Sequence, residues 1–112
     1  MNELEQRQNI VAFTWKTQDG ELLSPPEMKT THLFYSLRMI WNHSMPEEYH
    51  LPGGRYNIKW VVNKIMAKTA IMALSIELAT RDFEELTIDL QWQWQYMLEH
   101  AIIMNDLLEH YV

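Results

Sequence analysis

From Phe83 to Tyr111 the apolar residues fall at Phe83, Leu86, Leu90, Trp94, Met97, Ala101, Met104, Leu108 and Tyr111, in steps of three and four with no glycine or proline between them. Side chains at that spacing share one face of an α-helix. Asp82-Phe83-Glu84-Glu85, at the start of the series, has the form of a capping box. A second period runs through the same residues. Leu86, Ile88, Leu90, Trp92, Trp94 and Tyr96 alternate strictly, which is a strand signal. The helical series is longer and agrees with the cap, so a helix over about 83–110 is predicted. Trp92, Tyr96 and Ile103 then form a second apolar stripe on it. A helix apolar on two faces is either deeply buried or shared between subunits.

The rest of the chain reads against that helix. Ser24-Pro25-Pro26-Glu27 combines a capping serine, proline at the first helical position and a carboxylate that reaches back. It predicts a first helix over 25–44, with Leu33, Phe34, Leu37, Ile40 and Trp41 as its apolar stripe and Pro46 as its stop. Residues 45–56, with Pro46, Pro52, Gly53 and Gly54, read as an ordered loop. Asn57 can cap a second helix over 58–80, on which Val61, Val62, Ile65, Met72, Ile76 and Ala79 make a stripe and Ala67, Ala70 and Ala73 allow close approach. Upstream, Val11, Phe13 and Trp15 fall on one face of a strand over 9–17. Asp19-Gly20 offers a two-residue turn, and Glu21-Leu22-Leu23 a return strand. Such a hairpin is marginal alone and must pack on helices or on another copy. Residues 1–8 read as a flexible, solvated leader. The expected fold is a single α+β domain over 1–112, mainly helical: an N-terminal β-hairpin (9–23) followed by three helices, the last one long.

At 112 residues the chain is long enough for one domain and not two, and 47% hydrophobic residues exclude the disordered class. No cysteine is present, which excludes disulfides, zinc ribbons and thiol catalysis. No run of about 18 apolar residues predicts a membrane span. The polar start, Met-Asn-Glu-Leu-Glu-Gln-Arg-Gln, does not have the form of a secretory signal. A cytoplasmic protein without membrane contact is the expectation. Nine basic against 15 acidic residues give a net charge of −6, which disfavours direct nucleic-acid binding. The charge is segregated. Residues 55–81 carry Arg55, Lys59, Lys64, Lys68 and Arg81 against Glu77 alone, while residues 82–112 carry seven acids and no Lys or Arg. Such segments are neighbouring helices that attract, a basic site for an anionic ligand, or the two faces by which copies of the chain pack.

Catalytic signatures are missing: there is no phosphate-loop glycine pattern, nucleophile elbow or zinc-protease helix motif. No two of His32, His43, His50, His100 and His110 lie four apart. His32 and His43 share a helix face but stand about 16 Å apart, too far to share a metal. Neither enzymatic activity, a metal nor a cofactor is expected. Five Trp, five Tyr, three Phe and eight Met exceed what one small core can hide, so core and subunit interface, or ring stacking on a planar ligand, are the two readings. The sharpest local cluster is Pro52-Gly53-Gly54-Arg55-Tyr56-Asn57-Ile58-Lys59-Trp60. Arg55 can fork onto a phosphate, Lys59 adds charge, Tyr56 and Trp60 offer flat faces, and a helix start at Asn57 supplies free amides. The plain alternative is a loop that caps the second helix. Arg55, Tyr56, Lys59 and Trp60, with Arg38 and His32 on the first helix, form the candidate ligand-binding set.

The segment Trp15-Lys-Thr-Gln-Asp-Gly20 followed by Met28-Lys-Thr-Thr-His32-Leu33-Phe-Tyr-Ser-Leu37-Arg38 resembles a pattern in small phage and prophage proteins: a tryptophan-led hairpin, a glycine turn, then a methionine and a His-Leu pair opening a helix. It covers residues 13–43, and where such proteins carry Asn after the His-Leu pair this chain has Phe34-Tyr35-Ser36. The resemblance implies viral origin. Small acidic phage proteins of this kind look like anti-defence proteins. One class consists of sponges that counter Thoeris and CBASS immunity by sequestering nucleotide signals between subunits. Another class binds a host defence protein directly. The expectation is a phage-encoded, non-enzymatic homo-oligomer that sequesters an anionic nucleotide-type signal. The alternative is an inhibitor or adaptor that binds a host defence or regulatory protein through an acidic, aromatic surface.

Overall fold

The computed structural model describes residues 3–16, 19–52 and 64–101. Helices dominate it: α1 (Glu3–Ala12), α2 (Thr30–Ser44), α3 (Lys64–Ala79) and α4 (Ile88–Glu99). Between α1 and α2 run two short antiparallel strands, β1 (Trp15–Lys16) and β2 (Leu22–Leu23). The mainly helical character expected from the sequence is what these residues adopt.

The N-terminal part departs from the expected layout. Positions 3–8, read as a flexible leader, and 9–12, read as strand, are together α1. Glu, Leu, Gln and Arg in the leader are good helix formers. The β preference of Ile10 and Val11 depends on context and yields here to the helix begun by the residues before them. Strand pairing is left to Trp15↔Leu23 and Lys16↔Leu22. A two-residue turn at Asp19-Gly20 would instead set Lys16 opposite Leu23. Such a turn needs positive φ at both central positions or at the first, and here only Gly20, at φ 84°, has it among the described residues.

Both helix starts are built alike. Pro25–Glu27 forms a 3-10 turn, Met28 is extended and 2% exposed, and α2 begins at Thr30 rather than at Pro25. Phe83–Glu85 forms a 3-10 turn, Leu86 is extended and buried, and α4 begins at Ile88 rather than at Phe83. In each case the apolar side chain after the turn is drawn into the core, and that breaks the helical run. Each turn keeps its polar start. The Glu27 carboxylate accepts from the Ser24 amide at 3.0 Å and the Ser24 hydroxyl at 2.7 Å. The Asp82 carboxylate accepts from the Glu84 amide at 3.0 Å. Glu85 does not close a box back to Asp82; it accepts from the Thr30 hydroxyl at 3.0 Å. Thr87 caps α4, accepting from the Leu90 amide.

The core is centred on α2. Leu33, Phe34, Leu37, Ile40 and Trp41 are buried, and α3 packs against this face. The face α3 offers is Ala70, Ile71, Leu74 and Leu78. Of the stripe expected on the second helix, Ile76 is 54% exposed and Ala79 is exposed, so the core side lies on the other edge of the helix. α4 contributes Leu90, Trp94 and Met97, as the helical series from Phe83 requires. The alternating pattern of 86–96 is folded as helix from Ile88 on. Residues 58–63 and 102–110 of the expected helices lie outside the described residues.

Candidate functional site

The strongest sequence cluster, Arg55, Tyr56, Lys59 and Trp60, lies outside the described residues. The chain leading to it is firmly anchored. Leu51 is buried, and Asn42 on α2 grips its backbone twice: the Leu51 amide donates to Asn42 Oδ1 at 2.7 Å, and Asn42 Nδ2 donates to the Leu51 carbonyl at 3.1 Å. Trp41 Nε1 donates to the Tyr49 carbonyl at 2.9 Å. His50 Nε2 lies 2.8 Å from the Met45 carbonyl.

Arg38 and His32 do not form a shared binding face. They stand six residues apart on α2, about 120° apart round the helix. His32 is half-buried. Arg38 is 6% exposed; its Nη1 donates to Gln93 Oε1 on α4 at 3.0 Å, and its guanidinium lies 5.1 Å from the Tyr35 ring centre and 5.6 Å from that of Phe34. Gln93 in turn donates through Nε2 to Asp89 Oδ2 at 3.3 Å. Arg38 is therefore committed to tying α2 to α4. Its Nε has no hydrogen-bond partner.

A second polar knot ties the two helix starts. Arg81 donates through Nη1 to the Thr30 hydroxyl at 3.1 Å and through Nη2 to the Pro25 and Pro26 carbonyls, each at 3.3 Å, and pairs with Glu77 at 3.5 Å. Beside it is a cavity of about 140 Å³ whose walls include Thr30, Leu78, Arg81, Phe83, Leu86 and Trp94. Drug-sized and cofactor ligands occupy about 300–1,000 Å³, so this space suits at most a single ring. Its arginine is already engaged by carbonyls and a carboxylate. Among the described residues no cluster of His, Asp and Glu is arranged to hold a metal ion.

What remains is a surface. Ile88, Trp92, Gln95 and Glu99 on α4 are all exposed. They follow one another at i, i+4, i+7 and i+11, within about 60° of one another round the helix and over about 16 Å of its length. Ile88 and Trp92 are each 71% exposed. Phe83, in the turn before α4, is 45% exposed. Tyr96, read from the sequence as sharing a stripe with Trp92, is half-buried instead. It packs on the core and stacks on His100 with ring centres 4.1 Å apart. The sequence signal for this face was the second stripe of the last helix; its true line is Ile88–Trp92–Glu99.

No protein-family model matches the chain, and no curated protein or solved structure is significantly similar to it.

Proposed function

We propose that the chain is a non-enzymatic binding protein that engages another protein through the exposed face of α4. The observation that supports this reading is Trp92, an indole left 71% exposed next to an equally exposed Ile88 on a regular helix. Tryptophan concentrates binding energy when a partner buries it, and exposed apolar residues in a line mark interaction surfaces. In the setting implied by the phage resemblance, the partner is a host defence or regulatory protein met in the host cytoplasm. Affinity capture from host cells with the wild-type chain and with Trp92→Ala tests this. A protein retained by the first and lost by the second, with unchanged circular dichroism, is the expected result. Equal capture by both removes α4 from the interaction.

Sequestration of an anionic nucleotide is the second reading. It is favoured by the grouping of Arg55, Tyr56, Lys59 and Trp60 next to Gly53-Gly54 in the sequence. It requires a site built from residues beyond the described cavity, between copies of the chain. A thermal-shift screen with cyclic dinucleotides and ADP-ribose derivatives separates the two: a rise of several degrees that Arg55→Ala abolishes supports sequestration, and no shift with any nucleotide supports the protein partner.

A further inference from the structure

We infer that the surface which covers the α4 face is a cationic amphipathic helix of a partner protein. This rests on the protein-binding reading above and adds the chemistry of the partner. The apolar pair Ile88 and Trp92 has acid at both ends and along one flank, while Gln91, Gln95 and Leu98 on the other flank are uncharged. Glu99 stands in line with the pair, Asp89 flanks it on the first turn of α4, and Asp82, Glu84 and Glu85 are exposed in the turn that leads into the helix. From residue 82 to residue 112 the sequence offers seven acids and no Lys or Arg to balance them. Of the chain's own cations, Arg38 is buried between α2 and α4, and Arg81 is held by Glu77 and the Pro25 and Pro26 carbonyls.

A second copy of α4 laid symmetrically on this face would bury the indole but set acid against acid, an arrangement that complementary interfaces avoid. A row at i, i+4, i+7 and i+11 runs nearly along the helix axis, the spacing by which one helix lies lengthwise against another. An occupant that matches both features carries an apolar stripe for Ile88 and Trp92, flanked by Lys or Arg for Asp89 and Glu99.

The test uses the full chain and three labelled helical peptides of one length: leucine with lysine, leucine with glutamine, and leucine with glutamate. Fluorescence anisotropy is read at low and high salt. The lysine peptide binds, Trp92→Ala weakens it about tenfold or more, and Glu99→Gln weakens it less while flattening its salt dependence. The glutamate peptide does not bind. If the glutamine peptide binds as tightly as the lysine peptide and is lost with Trp92→Ala, the charge inference is overturned while the protein-binding reading stands. If the lysine peptide binds equally to wild type and Trp92→Ala, it is held by charge alone away from this face, and the inference is overturned. Sedimentation of the chain alone giving a salt-insensitive dimer that Trp92→Ala dissolves also overturns it, because the occupant is then a second copy.

Discussion

Gly20 has φ 84°, and a Cβ built there would meet nothing within 4 Å. Its identity is therefore set by backbone conformation and not by crowding. Gly20→Val should destabilise the chain by about 1–2 kcal/mol, the cost of holding a side-chain-bearing residue in the left-handed region. Gly20→Asn should cost less, since asparagine tolerates that region. Urea unfolding of both variants checks the order; equal stability for all three chains would mean the turn relaxes freely. Glu27 carries a different local signature. Hydrogen bonds from the Ser24 hydroxyl, and then from the Ser24 amide, hold its carboxyl below the ordinary glutamate value. A carboxylate whose folded value is depressed stabilises the fold at pH above its unfolded value, and that contribution is lost as pH falls through the folded one. Ser24→Ala should return the Glu27 titration, followed by carboxyl-resolved NMR, toward the ordinary value; an unmoved titration would show that the amide alone sets it.

Gln93 shows what an element-level contact adds to a sequence. It is 7% exposed on α4 and supplies the one side-chain acceptor that the described residues give to buried Arg38. Gln93→Leu should cost about 2–3 kcal/mol, since it strips a buried guanidinium of its acceptor. Adding Arg38→Met should recover part of that loss, because two apolar groups of similar shape can replace a polar pair at little net cost. A double-mutant cycle in urea measures the coupling, and simple additivity would show that the two side chains act independently. This link was not legible in the sequence. Arg38 reads there as a candidate ligand-binding cation on the first helix, and only the packing of α4 on α2 brings Gln93 to it. The apolar stripe of α2 and the helical series of α4 were legible, because three- and four-residue spacing over many turns outweighs a short alternation. The starts of both helices were legible in kind but displaced by several residues. Capping residues set a turn in each case, yet Met28 and Leu86 then enter the core and interrupt the helix before it begins in earnest. The N-terminal helix was missed because Val11, Phe13 and Trp15 alternate, while the polar residues before them nucleate helix. Trp92 was visible as part of a second stripe, but its partners on that face were misassigned. One period of 3.6 residues admits both Tyr96 and Glu99 as neighbours, and burial alone decides between them.

At the scale of the whole molecule, charge decides which association the exposed α4 face allows. The chain carries a net charge of −6, concentrated as seven acids beyond residue 81, so any close approach of two α4 faces is opposed by like charge. Surface charges separated by more than about 10 Å are screened at 0.1 M salt. Three arrangements therefore differ in the sign of their salt dependence. Symmetric pairing through Ile88 and Trp92 should strengthen as salt rises, since screening removes the repulsion and leaves the apolar contact. Head-to-tail packing of the acidic segment 82–112 on the basic segment 55–81 of another copy should weaken as salt rises, and Lys59→Glu should abolish it. A foreign cationic partner should likewise be weakened by salt, but with the chain alone monomeric throughout. Sedimentation velocity of the purified chain across a salt series, repeated on Trp92→Ala and Lys59→Glu, reads these signs directly. The expected outcome is a 13.5 kDa monomer throughout the salt series; self-association that appears only at high salt and only when Trp92 is present would make a second copy the occupant of this face. An oligomer that is strongest at low salt and lost in Lys59→Glu would instead place the basic segment at a subunit interface. Arg55 and Lys59 would then have to be tested there as residues that hold a neighbouring copy, not a nucleotide.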